Sequence, residues 1–218
     1  MNPKTKLLIS CEHGGNLIPD WLLNDLSIPS EVLGSHRGWD KGALSVARLL
    51  SPLADAYVEM TLSRLCIELN RSPHHKDLFS FYSKKLPQVL RQRLIHEIYE
   101  PYRAKVESQL EEWLEAGFSV IHLSIHSFTP VLNGEVRNTE IGLLYDPKSQ
   151  QEKVFCQQWQ QKLTDHFKCR VRLNYPYRGT ADGFTTYLRK IFNQKYPRRY
   201  VGIEVEMNQA LFRDGLSE

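Results

Sequence analysis

Ile121-His-Leu-Ser-Ile-His-Ser127 is an apolar, β-branched run that ends in a histidine followed by a hydroxyl. Near the N-terminus, Lys6-Leu-Leu-Ile-Ser-Cys-Glu-His-Gly-Gly15 has the same form. Each reads as a buried strand that delivers an imidazole, His126 or His13, to its C-terminal end. In open α/β sheets ligands bind outside that edge. Two histidines brought to one sheet edge are half of a metal site, so the chain reads as a metal-dependent enzyme.

Outward from these two runs, strand and helix signals alternate. Strands are expected at Leu7–Cys11, Ala56–Thr61, Leu65–Leu69, Phe118–Ile125, Glu140–Tyr145, Cys169–Leu173 and Tyr200–Val205. A short helix begins at Pro19, and Lys41–Leu50 carries apolar residues at helical spacing after Asp40, a potential N-cap. Pro87–Ala116 is a long amphipathic stretch interrupted at Pro101 and closed by Gly117. Gln151–His166 and Gly183–Asn193 are helical, and a helical turn follows the last strand. This alternation predicts a three-layer α/β/α sandwich around a mixed, largely parallel sheet, in one unit spanning residues 1–218. The polar loops Ser72–Leu86 and Asn174–Asp182 are the expected substrate-contacting segments.

Composition narrows the function classes. The 218 residues suffice for a sizeable core, with 41% hydrophobic and 24% charged residues. A net charge of +3 without a basic run argues against nucleic acid. No stretch is long and apolar enough to span a bilayer, and the five-residue run Leu7–Cys11 is too short for a signal peptide. The four cysteines (Cys11, Cys66, Cys156, Cys169) lack C-x-x-C spacing, and Cys11 and Cys66 sit in apolar runs. A cytoplasmic protein with reduced thiols is expected.

A lone strand-end histidine is usually structural, but two of them, each followed by a small residue (Gly14, Ser127), leave room for a ligand. His122 shares the face of His126 but lies about 13 Å away at ~3.3 Å per residue, too far to share an ion. A catalytic zinc takes three protein ligands and keeps one position open. Asp40 is the preferred third ligand, and a plain N-cap is its structural alternative. Glu12 is the runner-up, since neighbours on a strand point to opposite faces. Asn70-Arg71 stands at another apolar run's end, where the planar guanidinium fork suits a substrate carboxylate. Glu204 and Glu206 share one face of a late apolar strand, and either one near activated water would serve as a general base. His96-Glu-Ile-Tyr-Glu100 lacks the second histidine of a zincin, and His74-His75 has no strand to hold it. Neither a G-x-S-x-G elbow nor a P-loop occurs.

Taken in order, several segments resemble the N-formylglutamate amidohydrolase family. They are Cys11-Glu-His-Gly-Gly with Ile18-Pro19, His36-Arg-Gly-Trp-Asp40 with Gly42-Ala43, and Arg64…Asn70-Arg71. His126-Ser-Phe-Thr-Pro130, Asn174-Tyr-Pro-Tyr177 and Ile203-Glu-Val205 complete the set, which spans residues 7 to about 208. The family is distantly similar to zinc carboxypeptidases and the aspartoacylase group, and that wider resemblance implies a phosphorylase/hydrolase-like fold. It also implies that His13 and His126 are metal ligands, Asn70 and Arg71 a carboxylate clamp, and Glu204 the base. Two departures stand out. Zinc carboxypeptidases carry a ligating glutamate three residues after the first histidine, where this chain has Asn16, so the carboxylate must come from elsewhere, with Asp40 preferred over Glu12. Glu68 stands where aspartate is usual.

The expected activity is therefore hydrolysis of an N-acyl amino acid such as N-formylglutamate. Zn2+ or another divalent ion would be held by His13, Asp40 and His126. Arg137 would stabilise the oxyanion or a second carboxylate, and Ser127, Tyr177 and Arg178 would line the pocket. The competing expectation is a non-catalytic module that binds a carboxylate ligand through Arg71 and Arg137. In both, the partner is a small carboxylate-bearing molecule.

Overall fold

Strands form where the sequence is apolar on both faces. The computed structural model describes residues 4–212, so the ends of the expected unit, residues 1–3 and 213–218, lie outside the described residues. The strands are β1 (Thr5–Cys11), β2 (Ala56–Glu59), β3 (Ser119–Phe128), the hairpin β4 (Val131–Leu132) and β5 (Glu135–Val136), β6 (Ile141–Leu144), β7 (Val171–Leu173) and β8 (Tyr200–Asn208). Six of them make one sheet in the order β2-β1-β3-β8-β6-β7. Strands β2, β1, β3 and β8 run parallel, β6 is antiparallel to β8, and β7 is parallel to β6. The sheet is mixed and mostly parallel, as expected.

Helices cover both faces. They are α1 (Ser30–Leu33), α2 (Ala43–Leu50), α3 (Gln88–Leu94), α4 (Glu100–Glu115), α5 (Gln150–Phe167) and α6 (Phe184–Lys195). One core joins Leu8 and Val120 to Val106 and Leu110 of α4 and to Phe184, Leu188 and Phe192 of α6. The other joins Ile9, Leu123, Ile125 and Ile203 to Ala43 and Ala47 of α2 and Cys156 of α5. Period-two alternation sends odd residues of β3 to the second core and leaves His122, Ser124 and His126 on the first face. Among the described residues, no helix is long and apolar enough to cross a membrane.

Two expectations about elements need correction. Leu65–Leu69 is a buried loop, not a strand. Its apolar side chains Cys66, Ile67 and Leu69 fill the first core, while its backbone bonds locally, Cys66 N to the Ser63 carbonyl and Glu68 N to the Leu78 carbonyl. Pro101 does not break the long helical stretch. A π turn at Ile95–Tyr99 joins α3 to α4, and the proline falls in the first turn of α4, where its missing N–H is least felt. The stretch ends with Gly117 at φ +93° and bonds from Gly117 N to the Leu114 carbonyl and Phe118 N to the Trp113 carbonyl, a Schellman closure.

Candidate active site

The site lies at the C-terminal edge of β1 and β3 and is built from strand-end side chains. Beyond Cys11 the chain turns, and Gly15 passes so close to Thr61 that a Cβ would overlap its backbone. The small residues after His13 thus make room for the neighbouring chain rather than for a ligand. Backbone pairing of Asp40 N with the His13 carbonyl, at 2.9 Å, brings the loop before α2 against the strand end. Asp40 is not the side-chain cap of α2, whose N-cap is Gly42 in the left-handed region. Its carboxylate turns inward instead.

There Asp40 Oδ2 accepts from His13 Nδ1 at 3.3 Å and from His126 Nδ1 at 2.9 Å, with Ser127 N at 3.4 Å. Asp40 Oδ1 accepts from Arg64 Nη1 at 3.2 Å. One donor atom from each of His13, Asp40 and His126 lies within 4.8 Å of the others, and all three residues are buried. The opposite ring nitrogens are also held. His13 Nε2 bonds Glu68 Oε1. His126 Nε2 bonds Ser124 Oγ at 2.9 Å and lies 3.3 Å from Glu12 Oε2. Glu12 is itself fixed by Tyr102 Oη at 3.0 Å and Ser124 Oγ at 2.6 Å. Metal-ligating histidines typically present one nitrogen to the ion and the other to a carboxylate. The donor set therefore fits a divalent ion, with Glu68 and Glu12 as outer partners. Asn16 donates to the Leu33 carbonyl and takes no part.

Electrostatics follow from this packing. Burial alone would raise the Asp40 carboxyl, but the charge of His13 and the hydrogen bonds from His126 and His13 hold it well below the usual range. Burial works against charging His126, yet its bonds to Asp40 and Glu12 raise its pKa well above the ordinary value. Glu206 shows the reverse balance: burial pushes it up to about 8, with the nearby His126 charge opposing. His122 lies apart, bonded to Ser10 Oγ at 2.8 Å and Tyr200 Oη at 2.9 Å.

A cavity of about 230 Å³ opens beside the cluster. Of the residues expected from sequence, His13, Asp40, His126, Ser127, Asn70, Arg71, Tyr177, Arg178 and Glu204 all line it, together with Glu206. Arg137 does not line it; this side chain stands behind Tyr177, donating to its hydroxyl at 3.2 Å. Of the two polar loops, only the second supplies lining residues, while Leu78 and Leu86 of the first pack into the core. Sequence reasoning gave Arg64 no role in the site, while Ala181 and Asp182 fall within the expected second loop. Arg64 is tied by its Nε to Glu68 Oε2 at 2.8 Å as well as to Asp40. The i, i+4 spacing of Arg64 and Glu68 was the available signal, hidden by reading that segment as a strand.

Comparison with known proteins agrees with this fold. A gene product of Agrobacterium tumefaciens has a crystal structure with a TM-score of 0.79 and 29% identity to this chain, covering 96% of this chain and 82% of its own. The N-formylglutamate amidohydrolase of Ralstonia eutropha JMP134 shares the fold with a TM-score of 0.76 at 18% identity, covering 96% of this chain and 83% of its own. No curated protein sequence matches the chain. The family model described as N-formylglutamate amidohydrolase matches residues 5–213, nearly the whole length. This chain belongs to the N-formylglutamate amidohydrolase family.

Proposed function

We propose that this chain is a divalent-metal-dependent amidohydrolase that cleaves the amide of an N-acyl amino acid, with N-formylglutamate the first compound to test. One observation carries the reading. Asp40 Oδ2 meets the Nδ1 atoms of two histidines whose Nε2 atoms each face a buried carboxylate. His13, Asp40 and His126 would hold the ion; zinc suits such a set, as do iron, cobalt and manganese. When bound, the ion would polarise the amide carbonyl and lower the pKa of water.

The chain's own residues do the rest. Asn70 and Arg71 would orient the substrate by its carboxylate. In support, Arg71 makes no ion pair among the described residues, and its Nη1 is steadied by the Asp182 carbonyl. Proton transfer falls to β8, where the reading gives the base role to Glu206 rather than to Glu204. Glu204 Oε1 already accepts from Thr185 Oγ1 at 2.9 Å, whereas Glu206 Oε2 is buried without a partner. Burial raises that carboxyl in the metal-free site, and a bound cation beside it would draw it down towards the range in which it can take and return a proton near neutral pH. Tyr177 and Arg178 would close the outer side, and Arg137 would steady Tyr177 rather than meet the oxyanion. A cytosolic setting is part of the reading and rests on cysteines without C-x-x-C spacing.

The test is formate release from N-formyl-L-glutamate before chelation, after it, and after zinc is restored. Release that stops and returns with the ion supports the reading. Release indifferent to chelation removes the metal from it. No release, with L-glutamate still bound, turns the account towards the carboxylate-binding module.

A further inference from the structure

Arg103 of α4 is buried, 4% exposed, and pairs with no carboxylate among the described residues. Its guanidinium lies over Phe184 at 4.1 Å and Tyr187 at 4.4 Å from the ring centroids, with Tyr99 at 5.1 Å. Its Nη1 reaches two carbonyl oxygens, those of Leu69 at 3.1 Å and Arg71 at 3.3 Å. Tyr99 Oη donates to the same Arg71 carbonyl at 2.7 Å. Glu107, one turn along α4, feels the Arg103 charge without pairing with it, so the burial of that cation is only partly offset, and an apolar side chain would fill this place with less desolvation. The two carbonyls it holds flank Asn70. Asn70 Oδ1 in turn accepts from Phe184 N at 2.6 Å, and Phe184 is the ring on which Arg103 lies. The π turn places Tyr99 one helical turn before Arg103, so both address this one segment.

We infer that Arg103, assisted by Tyr99, is a positioning residue for the Asn70-Arg71 clamp and thereby sets how strongly the site prefers a carboxylate-bearing ligand. It touches no substrate. It fixes the backbone on either side of Asn70, and the cation shared by Phe184 and Tyr187 ties that backbone to α6. The inference rests on the proposed clamp role of Asn70 and Arg71.

The test compares wild type, Arg103→Met, Arg103→Lys and Tyr99→Phe. Two readouts are taken: kcat and KM for N-formyl-L-glutamate and for its dimethyl ester, and calorimetric binding of L-glutamate. Arg103→Met is expected to raise KM for the acid about tenfold with kcat nearly kept, and to leave the ester unchanged. Lysine should restore part of the loss, and Tyr99→Phe, which removes one hydroxyl, should shift KM the same way by a smaller factor. A purely structural role would lower kcat for acid and ester alike, through a smaller folded fraction, and would overturn the inference. So would an unchanged acid-to-ester ratio in both Arg103→Met and Tyr99→Phe. If wild type turns over neither compound yet binds L-glutamate, and Arg103→Met loses that binding, the hydrolase reading fails while the positioning role stands. Absence of both turnover and binding in wild type overturns both.

Discussion

Glu206 carries the sharpest residue-level consequence. With Oε2 buried and unpartnered, its carboxyl keeps a proton in the fold at pH values where the unfolded chain has lost it. A folded pKa raised to about 8 from 4.5 stabilises the fold fully below about 4.5, and that contribution drains away as pH rises to 8. Metal-free Glu206→Gln should therefore gain on wild type in urea melts between pH 5 and pH 8.5, while losing about 10²-fold or more in turnover. Glu204→Gln should lose less activity, and the reverse ranking would return the base role to Glu204. Glu68→Gln keeps a hydrogen-bond partner for His13 but removes its charge, so metal affinity should fall about 10–100-fold in a competition titration. At this scale His13 and His126 were legible because strand ends announce themselves, and Asp40 because it stands just before a helix. The roles of Glu12 and Glu68 were not, because a carboxylate's partner lies across the fold: Glu12 with Ser124, Glu68 with His13.

Elements fix where those side chains arrive, and one glycine on β6 shows how closely. Gly142 pairs in register with Glu206, and a Cβ there would overlap the Tyr175 carbonyl oxygen. Gly142→Ala should push the 174–178 segment outward, destabilising the fold by about 1–3 kcal/mol. KM should rise because Tyr177 and Arg178 retreat from the cavity, and a variant with unchanged KM and melting temperature would contradict this role for the loop. The parallel strands were readable from their apolar, β-branched runs, and α5 was placed to within a residue of its bounds, while the Ser149 side chain that caps it by accepting from Glu152 N is seen only in the structure. Leu65–Leu69 was misread because four apolar residues in five report burial, not extension. That loop is what allows Arg64 and Glu68 to face the same site.

The whole molecule depends on a polar thread through its sheet. His122 on β3 bonds Ser10 of β1 and Tyr200 of β8, so three neighbouring strands share one buried imidazole. Burial lowers its pKa to about 4 from 6.5. The unfolded chain then binds a proton that the fold refuses, and stability present above about 6.5 is lost as pH falls towards 4. The loss is on the order of 3 kcal/mol. Denaturant melts should show this slope in wild type and a shallower one in His122→Gln, and equal slopes would remove His122 from the acid response. The same face of the sheet turns, four residues further along β3, from this structural histidine to His126. Its neighbour strand delivers His13, and the loop before α2 brings Asp40 between them. Whether that convergence holds an ion is the centre of the account. Elemental mass spectrometry of the purified protein beside His13→Ala and His126→Ala tests it most directly. The account predicts about one divalent ion per wild-type chain, lost in both variants; a wild type that neither carries metal nor takes it up from added zinc would contradict it.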